Sequence, residues 1–287
     1  MKKTTTLTLI GGACLLLAGQ PTQAATLVGL YDSFEGMGLY TFDSSNPFGG
    51  SSVFITGLGA GEKLLALDRR PLTGQIYGLS SGSALYTINT SSGLATKVGS
   101  GFTTMLTGTR YGFDFNPVID RIRIVGNDDQ NIVAHPDTGA ANIATTTPVF
   151  YGLGDANNGM NPNVVQHAYD NNFAGTGSTQ LRGIDVNLDI LVTQANNAGT
   201  LGTIGALGIN ATENGGFDVD GSGAAFAAFA DGLVTSSFYS INLASGAATK
   251  LGELPGNIIG LTVVPEPSVL ALASLGALAL MRRRSRK

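Results

Sequence analysis

Cysteine and histidine are scarce in this chain: one cysteine and two histidines in 287 residues, with charged residues at only 13%. A zinc centre draws on clustered Cys and His, and His135, His167 and a lone Cys14 cannot supply one. Cys14 itself falls in a segment that reads as a secretory signal peptide over residues 1–24. That segment has Lys2-Lys3, an apolar stretch Leu7–Ala18, and Thr22-Gln23-Ala24 before the expected cut. Gly11 stands where a lipobox needs a large aliphatic residue, and Leu15–Leu17 put Cys14 inside the apolar stretch, so lipid attachment at Cys14 is excluded. The exported chain is then without a thiol nucleophile or a disulfide, and its core must hold it together. Long amphipathic helical patterns are also missing between the two ends.

Basic residues are short in the body of the chain. Residues 25–265 hold nine Lys and Arg against nineteen Asp and Glu, a formal net charge of −10. Affinity for phosphates comes from clustered Lys and Arg, so nucleic acid is excluded as a partner. A cation or a neutral polyhydroxyl ligand is compatible with this charge, as is a surface simply kept soluble by acid.

What the chain does have is glycine, 41 residues of it, and short apolar or alternating runs between Gly, Asn, Ser and Asp clusters. That is the all-β pattern, with many tight turns. Leu85–Gly99 (LYTINTSSGLATKVG) matches Phe238–Gly252 (FYSINLASGAATKLG) at nine of fifteen positions, each copy being strand, Ser-Gly turn and returning strand. Upstream of such hairpins lies another. Leu67-Asp68 leads to Ile76, Phe113-Asp114 to Ile122, Tyr169-Asp170 to Leu181 and Phe217-Asp218 to Phe226. Four strands over roughly 40 residues is the repeat of a β-propeller blade. Complete copies occupy Glu62–Gly99, Arg110–Thr145, Val164–Gly205 and Gly215–Gly252. The remaining strands, three at the N-terminus and Ile258–Leu261 at the C-terminus, fit together as a fifth blade. The expected fold is an all-β propeller of five four-stranded blades, closed by the C-terminal strand, with six blades as the alternative count. The split blade and the period argue against a β-sandwich and a β-solenoid.

Gly112-Phe113-Asp114-Phe115-Asn116-Pro117, Asp120–Val125, His135-Pro136-Asp137-Thr138-Gly139 and Gly216-Phe217-Asp218 resemble the bacterial family named domain of unknown function 4394. The resemblance spans nearly all of residues 25–264 and implies no activity. The end of the chain resembles a PEP-CTERM sorting signal: Pro265-Glu266-Pro267, an apolar run Ser268–Met281, then Arg282, Arg283, Arg284, Ser285, Arg286 and Lys287. At about 1.5 Å per residue the run covers roughly 21 Å as a helix, short of a ~30 Å bilayer core unless the membrane thins and the arginines snorkel. The resemblance implies export by the general secretion machinery and transient anchoring in the inner membrane. Cleavage by an exosortase and delivery to the cell surface or an exopolysaccharide matrix would follow. An ordinary C-terminal anchor is the alternative. The expected domains are residues 1–24, 25–264 and 265–287.

Propeller ligands commonly meet the face carrying the loops between second and third strands and between blades, an argument from fold analogy. Those loops hold Asp32, Glu35, Asn127, Asp128, Asp129, Gln130, Asp185, Asn187 and Asp231, and the long segment Thr146–Asn163, expected to be a structureless loop. Calcium is the one cofactor considered, with Asp128 and Asp129 as candidate ligands. Asp218-Val219-Asp220-Gly221 opens like an EF-hand, but Phe229 stands where the bidentate Glu belongs. Asp218 aligns with Asp68, Asp114 and Asp170, and all four are expected to be turn formers. His135 is expected in a turn and His167 as a satisfied interior residue. No catalytic residue is assigned. The expectation is a binding or structural protein. The alternative is an extracellular propeller enzyme, a metal-dependent hydrolase or polysaccharide lyase, marked by carboxylates or histidines converging on the central channel.

Overall fold

The computed structural model describes residues 24–265 except Leu233. The predicted signal peptide up to residue 23 and the sorting tail from Glu266 onward, with Pro267, Arg282, Arg283 and Arg284, lie outside the described residues. The described elements are all strands, and among them no helix is long and apolar enough to cross a membrane.

Strands β1 (Thr26–Ser33), β2 (Gly36–Asp43) and β3 (Asn46–Phe54) run as a meander. The next sheet is β4 (Leu64–Arg69), β5 (Ile76–Ser80), β6 (Ala84–Ile88) and β7 (Ala95–Val98). Then come β8 (Tyr111–Asn116), β9 (Arg121–Gly126) and β10 (Asn131–Ala134). A short β11 (Phe150–Tyr151) precedes β12 (Val164–Tyr169), β13 (Leu181–Asp185), β14 (Ile190–Gln194) and β15 (Thr200–Ala206). The last strands are β16 (Gly215–Val219), β17 (Ala225–Ala230), β18 (Thr235–Ile241), β19 (Ala248–Pro255) and β20 (Asn257–Val264).

These strands make five sheets around an axis, a five-bladed β-propeller. Strand β20 pairs antiparallel with β1, from Thr26 opposite Val264 to Asp32 opposite Asn257, so both ends of the described chain share one sheet, in the order β20-β1-β2-β3. The innermost strands touch in the cyclic order β4, β8, β12, β16, β20.

Two sheets depart from the expected four strands. The second complete blade has three, because its outer hairpin returns for a single bridge between Ala134 and Ala141 before Asn142 turns left-handed at φ 54°. The third has five, since β11 adds in parallel beside β15. Thr146–Asn163 is therefore not the structureless loop expected. Val149 and Tyr151 are buried, and the Tyr151 hydroxyl donates to Asp185 Oδ2 at 2.5 Å.

Burial explains the strand compositions. Every residue of β8 and β12 is buried, as for strands enclosed on both faces. The edge strand β3 (NPFGGSSVF) is largely exposed and carries Pro, Gly and Ser. Between blades the cores are apolar: Tyr77 and Leu79 of one blade pack with Phe113, Phe115 and Ile124 of the next. Tyr77 meets Phe115 edge-on, ring centroids 5.2 Å apart. Burying such an aromatic side chain contributes about 1.5–3 kcal/mol.

Candidate functional site

The innermost strands approach one another at the axis, and alternate side chains of each point toward it. At one level stand Ala66, Gly112, Gln166, Gly216 and Gly260, which line a cavity of about 10 Å³. That is room for about one water. The glycines are required by the approach: a Cβ on Gly216 would overlap the Leu261 amide and the Gly260 carbonyl carbon.

Two residues further along each strand come Asp68, Asp114, Ala168, Asp218 and Thr262, all with 1% exposure or less. Their side chains link each blade to the next. Asp68 Oδ2 accepts the Phe115 amide at 2.8 Å, and Asp114 Oδ1 accepts the Tyr169 amide at 3.0 Å. Asp218 Oδ2 accepts the Val263 amide at 2.6 Å, and Thr262 Oγ1 accepts the Arg69 amide at 3.2 Å. Only the step from the third to the fourth complete blade lacks this link. Ala168 has no acceptor, and the Val219 amide turns to its own Asp218 Oδ1 at 2.6 Å.

The three aspartates form a group in which one ligand oxygen from each lies within 4.8 Å of the others. Burial, reinforced by the Asp218 charge, drives the Asp68 pKa well above the usual carboxylate range. Burial and the charges of Asp68 and Asp218 do the same to Asp114. Burial lifts Asp218 to about 6, restrained by the hydrogen bonds from Val263 and Thr262. Arg69, itself buried, acts through space on Asp114 and Asp218, while its Nε donates to the Val263 carbonyl at 3.1 Å.

The turn role expected for Asp68, Asp114 and Asp218 is thus corrected: all three lie within strands and face the axis. Asp170 alone of the aligned four is a turn residue, accepting the Gln180 amide at 2.7 Å and pairing with Arg182. Strand pairing sets Ala168 opposite Arg182 as Asp68 is opposite Tyr77, so Ala168 is the true counterpart. The turn formers sit two residues after the axial position, at Asn116, Asp170 and Asp220.

The residues expected on the loop face do not converge. Asp32 pairs with Lys63 at 3.0 Å, and Asp231 accepts the Ser237 hydroxyl at 2.6 Å. Asp185 is buried and accepts the amides of Asn187 and Leu188. The Asn187 side chain accepts from Asn163 at 3.2 Å, and Gln130 Oε1 accepts the Thr107 amide at 3.1 Å. Asn127 Oδ1 accepts the Thr109 amide at 2.9 Å. Asp128 accepts the Thr107 hydroxyl, and Asp129 takes a left-handed φ of 66° at the same hairpin. Glu35 is exposed at the tip of the first hairpin.

His135 holds its turn, Nδ1 accepting the Asp137 amide at 3.2 Å. His167 is buried and only half satisfied: Nε2 meets Gln194 Oε1 at 2.7 Å, while Nδ1 has no partner. Burial lowers its pKa to about 4, with Arg123 adding to the shift and the Gln194 contact opposing it.

The model of a family described as domain of unknown function (DUF4394) matches residues 38–262. A PEP-CTERM protein-sorting motif matches residues 263–287. No curated protein matches. Among solved structures, a chain of a nidogen/laminin complex is similar at 11% identity and a TM-score of 0.48, over 84% of this chain and 98% of that one. The hydrazine synthase of Kuenenia stuttgartiensis is similar at 8% identity and a TM-score of 0.39, over 68% of this chain and 49% of that one.

Proposed function

The chain belongs to the family described as domain of unknown function DUF4394 and carries an exosortase sorting motif, and from that premise we propose that it serves as a binding or structural protein outside the cell. Its place there is the cell surface or the exopolysaccharide matrix, and its working surface is the outer loop face. One observation carries this: the axis, where a propeller enzyme would gather its catalytic groups, is filled. The cavity there is about 10 Å³, and Asp68, Asp114, Asp218 and Thr262 are each hydrogen-bonded to a backbone amide of the following blade. A sugar residue has no room beside them. The converging carboxylates, which would favour the enzyme reading in an open channel, serve here to join blades.

The loop face offers exposed apolar side chains among its polar ones. Phe34 stands fully exposed at the first hairpin tip, with Met105, Leu153, Met160 and Val234 exposed on other loops of that face. An exposed aromatic ring beside Asp and Asn side chains suits a neutral polyhydroxyl polymer, since the ring supplies apolar area at a polar surface. The test is retention of the purified protein on the exopolysaccharide of its own cells. The expected result is retention that falls on Phe34→Ser; release of shortened or unsaturated sugar products would support the enzyme instead.

A further inference from the structure

We propose that the propeller axis binds one divalent cation of the calcium type through Asp68, Asp114 and Asp218, with Asn172 as a fourth oxygen donor. Charge comes first. Three carboxylates and one guanidinium, Arg69, are buried together, and when all are ionised two negative charges remain uncompensated. Buried charges of this kind are stable only when paired, protonated or bound to metal. One divalent ion cancels the remainder.

The Thr262 hydroxyl makes the same point. It lies 2.8 Å from Asp68 Oδ1 and 3.0 Å from Asp218 Oδ2, and it already accepts the Arg69 amide. A hydroxyl has one proton to donate. It therefore serves one ionised carboxylate at a time, and the other donor to Asp218 Oδ2 is the Val263 amide at 2.6 Å; neither donor brings positive charge to the pair.

Asn172 supplies independent support. It is 2% exposed, its amide is directed at Asp218 with Nδ2 3.4 Å from Oδ1, and its own Oδ1 has no hydrogen-bond partner. That is a long contact for a charge-assisted hydrogen bond. Rotating the amide by half a turn brings the unpartnered Oδ1 to the cluster as a neutral ligand. The donors are then all oxygens, the set preferred by calcium, magnesium and manganese. Ligand atoms within 4.8 Å of one another suit an ion held at about 2.3–2.6 Å, the calcium range. Because the site is sealed, the ion enters as the blades close, and binding is coupled to folding.

The experiment uses the purified full-length protein, unfolded and refolded in chelator or with Ca²⁺, Mg²⁺ or Mn²⁺, with metal content per chain and melting temperature as readouts. The proposal predicts one tightly held ion per chain and a higher melting temperature than in chelator. Asp114→Asn, which keeps an acceptor for the Tyr169 amide, should lose the ion and melt in chelator at or above the wild-type temperature. Asn172→Ala should weaken ion binding about tenfold, and it carries the test if the first variant does not fold. Equal melting with and without chelator and no retained ion would overturn the site in favour of shared protons. So would retention that survives Asp114→Asn and Asn172→Ala but is lost on joint Asp128→Asn and Asp129→Asn substitution, which would move the ion to the loop.

Discussion

The Thr262 hydroxyl lies 2.8 Å from Asp68 Oδ1 and 3.0 Å from Asp218 Oδ2, joining the last strand to blades on either side of it. Thr262 and Asp68 are 194 positions apart in the chain. One short side chain thus links the last strand to the first and fourth complete blades at the axis, and it does so from the strand that runs into the sorting motif.

That strand should be indispensable to the fold. We expect deletion of residues 257–264 to leave the β1 edge without its partner and to remove Thr262 from the axis. Equilibrium denaturation should show a large loss of stability. The milder Thr262→Val should cost about 1–3 kcal/mol, the range for stranding a buried polar group, and an unchanged midpoint would contradict the closing role.

Close packing at the axis predicts that Gly216→Ala is destabilising although alanine favours most backbones. The new methyl would collide with the backbone of β20 at Leu261 and Gly260 rather than with a movable side chain. Overpacking of this kind costs about 1–3 kcal/mol, readable as a lowered denaturation midpoint.

On the rim, Arg70 joins two blades. Its guanidinium pairs with Asp120 and, at 2.6 Å, with Asp137, and its own side chain is 7% exposed. Arg70→Leu should cost about 1–3 kcal/mol, typical of hydrogen bonds to charged groups. Asp137→Asn should cost much less, because the Asp137 side chain is 59% exposed and water replaces the lost contact. Equal effects of the two substitutions would contradict this ordering.

His167 predicts a pH dependence. Its pKa of about 4 in the folded chain lies below the ordinary 6.5, so the unfolded chain binds the proton more readily between those values. Stability from neutral His167 is complete above pH 6.5 and is lost as pH falls toward 4, by about 3 kcal/mol in total. The facing groups are Gln194, whose Oε1 meets Nε2, and Arg123, which opposes protonation. The axial carboxyls titrate in the opposite sense, so the informative quantity is the wild-type stability minus that of His167→Gln. That difference should fall on acidification from pH 7 to pH 4; a flat difference would mean that folding leaves the His167 pKa at its ordinary 6.5, and a rising one that the fold holds His167 protonated.

Much of this fold was legible because glycine and Asx turns punctuate short apolar runs at a regular interval, and because two hairpins kept nearly the same wording. The axial role of Asp68, Asp114 and Asp218 was not. Each stands next to a turn, where aspartate reads as a turn former, and what sets its role is an amide 45 to 55 positions away in the next blade. A longer turn between β12 and β13 aligned Asp170 with these three, although Ala168 is their counterpart. The recurring pattern of a polar residue two positions later, at Asn116 and Asp220, was the available sign that turn and axis were separate roles. Strand β11 was hidden for a related reason: a two-residue parallel pairing depends wholly on β15, far along the chain.

Amide hydrogen exchange at Arg69, Phe115, Tyr169 and Val263 tests the central claim most directly, since these four amides make the links between blades at the axis. They should be among the slowest in the protein and exchange together, with the free energy of global unfolding. If they exchange independently and as fast as the loop amides, the axial side chains do not hold the blades together.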